Sequence, residues 1–118
     1  MLRKTDCVMV PVPDLDAGVS FYERVFGLAV NWRDEVSVGM RLPESDTEVV
    51  LNNEGITGVH YLVDDVPRAV GAAVGGGCTV VVEPFDIVIG KCAVIEDPFG
   101  NRVPVLDMTK GARTGFSR

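Results

Sequence analysis

Residues 8–19, Val-Met-Val-Pro-Val-Pro-Asp-Leu-Asp-Ala-Gly-Val, and residues 59–70, Val-His-Tyr-Leu-Val-Asp-Asp-Val-Pro-Arg-Ala-Val, are two versions of one pattern. Set against each other at an offset of about 51 positions, Val12 falls on Val63, Asp14 on Asp65, Leu15 on Val66 and Val19 on Val70. Each version is an apolar strand, an acidic cap and the first turns of a helix. A unit of this length that occurs only twice is too short for a solenoid, so it reads as a duplicated half-domain whose copies share one core. Function is then expected between the halves.

Outward from the first version, the spacing predicts a strand over 7–12 that stops at Pro13. A helix follows, capped by Asp14 or Asp16, carrying Phe21, Tyr22, Val25 and Phe26 at helical spacing and closed by Gly27. Three β-like runs come next, over 28–33, 36–42 and 47–52, with polar turns between them. The second version repeats the order. A strand over 59–63 leads to Asp64 or Asp65 as cap, Pro67 in the first turn, an apolar stripe of Ala69, Val70, Ala73 and Val74, and a stop at Gly75, Gly76 and Gly77. Strands are predicted over 78–83, 91–96 and 102–107, the last two joined by the hairpin turn Asp97-Pro98-Phe99-Gly100-Asn101. The modules are thus 5–53 and 57–107 within one domain, 1–107. The tail, 108–118, has no periodicity and is expected to be flexible.

Of 118 residues, 47% are hydrophobic and 24% charged, which suits an ordinary globular domain. Acidic residues outnumber basic ones 17 to 11, for a net charge of -6, and no basic stripe is present, which argues against nucleic acid as a partner. No run approaches the roughly 18 uncharged apolar residues of a membrane helix, and the first residues lack the apolar core of a signal peptide. A cytoplasmic protein with no membrane contact is expected. Cys7, Cys78 and Cys92 match neither a disulfide framework nor a zinc knuckle and read as buried, reduced thiols.

The strand, Asp14-Leu15-Asp16, the helix with Phe21-Tyr22 that ends Phe26-Gly27-Leu28, and Asp97-Pro98-Phe99-Gly100-Asn101 before the last strand closely resemble the vicinal oxygen chelate superfamily, the group of glyoxalase I, bleomycin-resistance protein and extradiol dioxygenase. The resemblance covers about residues 5 to 107 and implies an α+β fold in which two tandem βαβββ modules form a curled eight-stranded mixed sheet around a cavity. It further implies pairing as a homodimer. Enzymes of this group hold a divalent metal that binds two vicinal substrate oxygens and acts as a Lewis acid. The resemblance maps their ligand positions onto Cys7, Val50, Gly58 and Pro104, and three of these four side chains cannot bind a metal. No metal and no other cofactor is therefore expected. An atypical zinc site would need Cys7, Glu48 and His60, the chain's only histidine, to converge away from the inherited positions. A Cys7–His60 nucleophile pair is disfavoured because a thiol in an apolar strand tends to be inert.

The remaining expectation is a cavity lined by Cys7, Met9, Val50, His60, Leu62 and Pro104, with Glu48 beside Val50 and with Trp32 and Met40 from intervening strands. Each could equally be ordinary core. Methionine adapts to irregular guests and Trp32 offers a flat face. The function implied is metal-free binding, for sequestration or sensing, of a small, neutral or cationic, largely apolar or planar molecule. The alternatives are a lyase, isomerase or dioxygenase of the same superfamily with an atypical metal site, and a partner-binding domain with a filled cavity.

Overall fold

Asp14 and Gly27 set the limits of the first helix. In the computed structural model, which describes residues 1–111, helix α1 runs Leu15–Phe26. The extended Asp14 accepts a hydrogen bond from the Ala17 N–H at 3.1 Å, and Gly27 takes a left-handed φ of 72° that only glycine adopts cheaply. Helix α2, Val66–Gly75, starts in the same way, with Asp65 accepting from the Arg68 N–H at 3.0 Å and a proline in the first turn.

The strands are β1 (Lys4–Pro11), β2 (Ala29–Arg33), β3 (Ser37–Arg41), β4 (Glu48–Asn52), β5 (Gly58–Leu62), β6 (Thr79–Ile87), β7 (Gly90–Glu96) and β8 (Arg102–Leu106). They make an eight-stranded mixed sheet that is not closed, and with the two helices the fold is α+β. The described residues divide into two compact units, residues 6–59 and residues 1–5 together with residues 60–111.

In the N-terminal unit the strand order is β2-β3-β4-β1. β1 and β4 are parallel, and β3 is antiparallel to β2 and β4. The core lies between α1 and one face of these strands, where Leu15, Leu28, Val38, Met40 and Leu51 are buried with Val10, Val12, Val19, Tyr22 and Val49 around them. The aromatic stripe of α1 is only partly in it. Phe21, Val25 and Phe26 remain exposed, and Phe21, Tyr22 and Phe26 contact one another edge to face with centroids 5.0–6.2 Å apart. Leu15, Val19 and Tyr22, spaced four and three apart, form the face that meets the sheet.

The C-terminal unit repeats the topology in the order β5-β8-β7-β6. α2 covers Ala93, Ile95 and Val105 with Val66, Ala69 and Val70. β6 continues to Ile87, four residues past its predicted end. The extension tolerates Pro84 because β6 is paired on one side only and its register with β7 shifts twice, at Val80/Val82 and Val82/Phe85. Asp107 ties the unit together: its buried carboxylate accepts from the N–H of Val66 at 2.7 Å and of Lys91 at 2.9 Å, and from the Thr109 hydroxyl at 2.9 Å. Gly90 leaves the room for it, since a Cβ there would overlap the Asp107 carboxylate. The expected flexible tail is anchored at its start, where the Lys110 N–H donates to Ile89 O at 2.9 Å and its Nζ reaches Asp86. Its remainder, 112–118, lies outside the described residues.

Candidate functional site

In a strand, alternate side chains share a face and register partners stand side by side. The cross-strand pairs Cys7↔Glu48, Met9↔Val50, Gly39↔Val50, Arg41↔Glu48 and Trp32↔Gly39 therefore place Cys7, Met9, Trp32, Gly39, Arg41, Glu48 and Val50 on one face of the N-terminal unit, the one turned away from α1. Met40 is elsewhere. It pairs with Val49, is fully buried and belongs to the core beneath α1, so the expectation that it lines the same face as Trp32 is corrected.

A register shift between Val30 and Trp32 marks a β-bulge at Asn31. A bulge adds one residue and re-aims side chains, and here both Asn31 and Trp32 reach Glu48. The indole N–H of Trp32 is shared between the two carboxylate oxygens at 3.0 Å each, and Asn31 Nδ2 donates to Oε2 at 3.1 Å. Asn31 Oδ1 in turn accepts from Arg41 Nη1 at 3.2 Å. A buried carboxylate without donors would cost several kcal/mol (~3–5), and each hydrogen bond to a charged group returns roughly 1.5–3 kcal/mol. Glu48 is thereby kept buried, with the exposed Arg41 at the outer end of the chain of hydrogen bonds. The indole lies across Gly39, whose missing side chain is the space it occupies. Beside Glu48 stands Cys7, buried, with its thiol 3.8 Å from Met9 Sδ.

In the C-terminal unit, Tyr61↔Val105 and Leu62↔Leu106 put Tyr61 on the α2 side and Leu62 on the other. His60 shares the Leu62 face by alternation, and Pro104, two before Leu106, lies there as well. Leu106 O accepts from the Val63 N–H at 2.9 Å, so two residues earlier Pro104 turns its nitrogen to the same neighbour and has no N–H to give. The β5–β8 ladder accordingly stops at Tyr61, leaving His60 beyond it. Cys92, also on this face opposite Leu106, has its thiol pushed up to about 11 by burial. Asp107 is held below the ordinary carboxylate range. Burial alone would raise it, but the N–H groups of Val66, Lys91 and Thr109 and the Thr109 hydroxyl outweigh that effect.

These residues do not fit the superfamily's metal. Val50 and Pro104 offer no donor, Gly58 is a glycine at φ 96°, and among the described residues no three His, Cys, Asp or Glu side chains are grouped to hold an ion. Asn31, Arg41 and Gly39 were not singled out from sequence. Gly39, a glycine inside an apolar strand, was the available signal of a close approach.

A comparison with curated proteins finds no match. Among solved structures, methylmalonyl-CoA epimerase from Mycobacterium tuberculosis superposes with a TM-score of 0.74 at 16% identity, over 95% of this chain and 90% of that one. A variant of the Streptomyces coelicolor methylmalonyl-CoA epimerase gives 0.73 at 16%, over 92% and 99%. A hypothetical protein from Bacillus halodurans gives 0.74 at 11%, over 94% and 98%. At such identities the likeness is one of fold. The profile of the Glyoxalase/Bleomycin resistance protein/Dioxygenase superfamily matches residues 4–105, and with the doubled βαβββ unit now described, the chain belongs to that superfamily.

Proposed function

We propose that this protein binds a small, largely apolar or planar molecule on the sheet face turned away from α1, sequestering or sensing it without a divalent metal. The observation that carries the reading is the placement of Trp32: its polar edge is committed to Glu48 and it lies across Gly39, while the residue stays only half-buried. An aromatic ring fixed in this way is an anchor that loses little freedom when a guest stacks on it. Half-buried Met9 adjoins it on the same face, where Val50 and Cys7 are buried. The net charge of -6 acts at long range in favour of neutral or cationic guests, and Arg41 acts at contact distance in the opposite sense.

The exposed Phe21, Val25 and Phe26 of α1 support a homodimer, because isologous pairing is the commonest way for a small domain to cover such a face. The contact would bury at least roughly 1,000 Å², and a monomer by light scattering at micromolar concentration would remove it. Three free cysteines suit a reducing, cytoplasmic setting; among the described residues no helix is long and apolar enough to cross a membrane.

The test is titration of the chain's one tryptophan with a neutral planar probe such as naphthyl methanol, with and without a chelator. Saturable quenching that survives the chelator is expected. No quenching would overturn the binding reading. Quenching or turnover abolished by the chelator would support the competing reading, an enzyme with an atypical metal site, for which the pairing of Cys7 with Glu48 is the favouring observation.

A further inference from the structure

On the outside of the N-terminal unit, exposed apolar side chains gather at α1 and the sheet edge next to it. Ala17, Phe21 and Val25 follow one another at spacings of four along α1, away from the Leu15, Val19 and Tyr22 face that meets the sheet. Such a row is a packing ridge. Phe26 joins it through its ring contact with Phe21, centroids 5.6 Å apart. Val30 extends the surface beyond the helix. It pairs with Met40 and so projects on the α1 side of the sheet, but α1 packs over β3 and β4, and on the edge strand β2 Val30 stays exposed. Phe21, Val25, Phe26 and Val30 are each between 40% and 57% exposed, which amounts to roughly 350 Å² of apolar surface at about 200 Å² for a whole phenylalanine. The largest patch on a typical monomer is about 300–600 Å² and often functional.

We propose that this surface is covered by the same surface of a second copy, the two α1 helices crossing antiparallel about a two-fold axis beside Phe21. The inference rests on the homodimer reading above and names its interface. A two-fold contact needs a self-complementary patch, and antiparallel crossing of the ridges makes this one so. Phe21 meets Phe21 of the partner subunit, and at each end the small Ala17 faces the larger Val25 of the partner subunit. The charges agree with that direction: α1 carries acidic Asp16 in its first turn and basic Arg24 in its last, so the last turn of each helix approaches the acidic first turn of the other. Arg24 already lies with its guanidinium 5.8 Å from the centre of the Phe21 ring, a contact that strengthens as water is excluded. The area suffices. Two facing patches remove roughly 700 Å² of apolar surface, and with interface cores about 65% apolar the whole contact comes to roughly 1,100 Å², just above the roughly 1,000 Å² of a biological interface. A contact of this size makes a dissociable dimer.

Sedimentation velocity of the full chain over a micromolar concentration series tests this. Wild type should move from monomer to dimer as concentration rises. Phe21→Asp should raise the dissociation constant at least tenfold with an unchanged far-ultraviolet circular dichroism spectrum, since Phe21 is exposed in the monomer. Mild oxidation of Phe21→Cys should give a disulfide-linked dimer, because the axis brings the two copies of that position together. Glu23→Cys, exposed on the opposite side of the helix, should not cross-link. A wild-type dimer that Phe21→Asp leaves intact, or cross-linking of Glu23→Cys in preference to Phe21→Cys, overturns this inference and leaves the homodimer reading standing. A wild type that stays monomeric throughout the series removes both, and its co-sedimentation with phosphatidylcholine vesicles would assign the face to a membrane instead.

Discussion

The indole of Trp32 lies across the backbone of Gly39 so closely that a Cβ on Gly39 would coincide with the Nε1 edge of the ring. The same N–H bridges both oxygens of the buried Glu48. A missing side chain on β3 therefore sets where an aromatic on β2 rests, and that in turn fixes a carboxylate on β4.

Gly39→Ala should displace the indole. Overpacking of this kind costs roughly 1–3 kcal/mol, and the displaced ring becomes more solvated. The expected result is a lower thermal midpoint and a red shift of the single-tryptophan emission. Unchanged emission with unchanged stability would show that the ring does not depend on Gly39.

Trp32→Phe retains aromatic area and deletes the donor. Leaving Glu48 short of a hydrogen bond should destabilise the fold by roughly 1–3 kcal/mol, and Glu48→Gln should cost less in the Phe background than in the wild type. A double-mutant cycle from urea unfolding reads the difference directly, and coupling indistinguishable from zero would dissociate the two residues.

Asp107 predicts an acid sensitivity. Its folded-state carboxyl titrates below the ordinary 3.8, so the stability it contributes is complete above that value and is lost as pH falls through the lower folded-state value. Asp107→Asn cannot accept from Val66, Lys91 and Thr109 together. The variant should be less stable at neutral pH and show a flatter dependence of stability on pH below about 4. Parallel curves for the two proteins would contradict the assignment.

The Cys92 thiol, pushed up to about 11 by burial, is roughly one-thousandth thiolate at pH 8. A disulfide reagent should label Cys92 in the folded protein far more slowly than after denaturation, when it reacts like an ordinary cysteine. Rapid labelling of Cys92 in the native state, located by peptide mass spectrometry, would show the site to be open.

Much of the architecture was legible because its signals are local. Asp14, Gly27, Asp65 and the proline of the second helix's first turn act within one turn of chain, and both helices begin at the expected caps. The candidate site was legible only in part. Glu48, Cys7, Met9 and Val50 follow from strand alternation once the strands are known, whereas Trp32 requires the bulge at Asn31 and Met40 the register of β3 against β4, which places Gly39 on one face and Met40 on the other. Asn31 and Arg41 escape sequence reading for a related reason: without the bulge, Asn31 and Trp32 would point to opposite faces and Arg41 would have no amide to lean on.

By itself the sequence determined the doubled βαβββ unit, the helix limits, the superfamily, and the absence of metal donors at Val50, Gly58 and Pro104, because caps, glycines and residue identities speak within a few positions of themselves. Tertiary structure alone decided which face each strand presents, that β6 runs on through Pro84, that Asp107 ties α2 to β7, and that Glu48, Trp32, Asn31 and Arg41 form one chain of hydrogen bonds. Each of these depends on pairing register, and register comes from the sum of contacts between strands distant in sequence, which a single bulge can reverse.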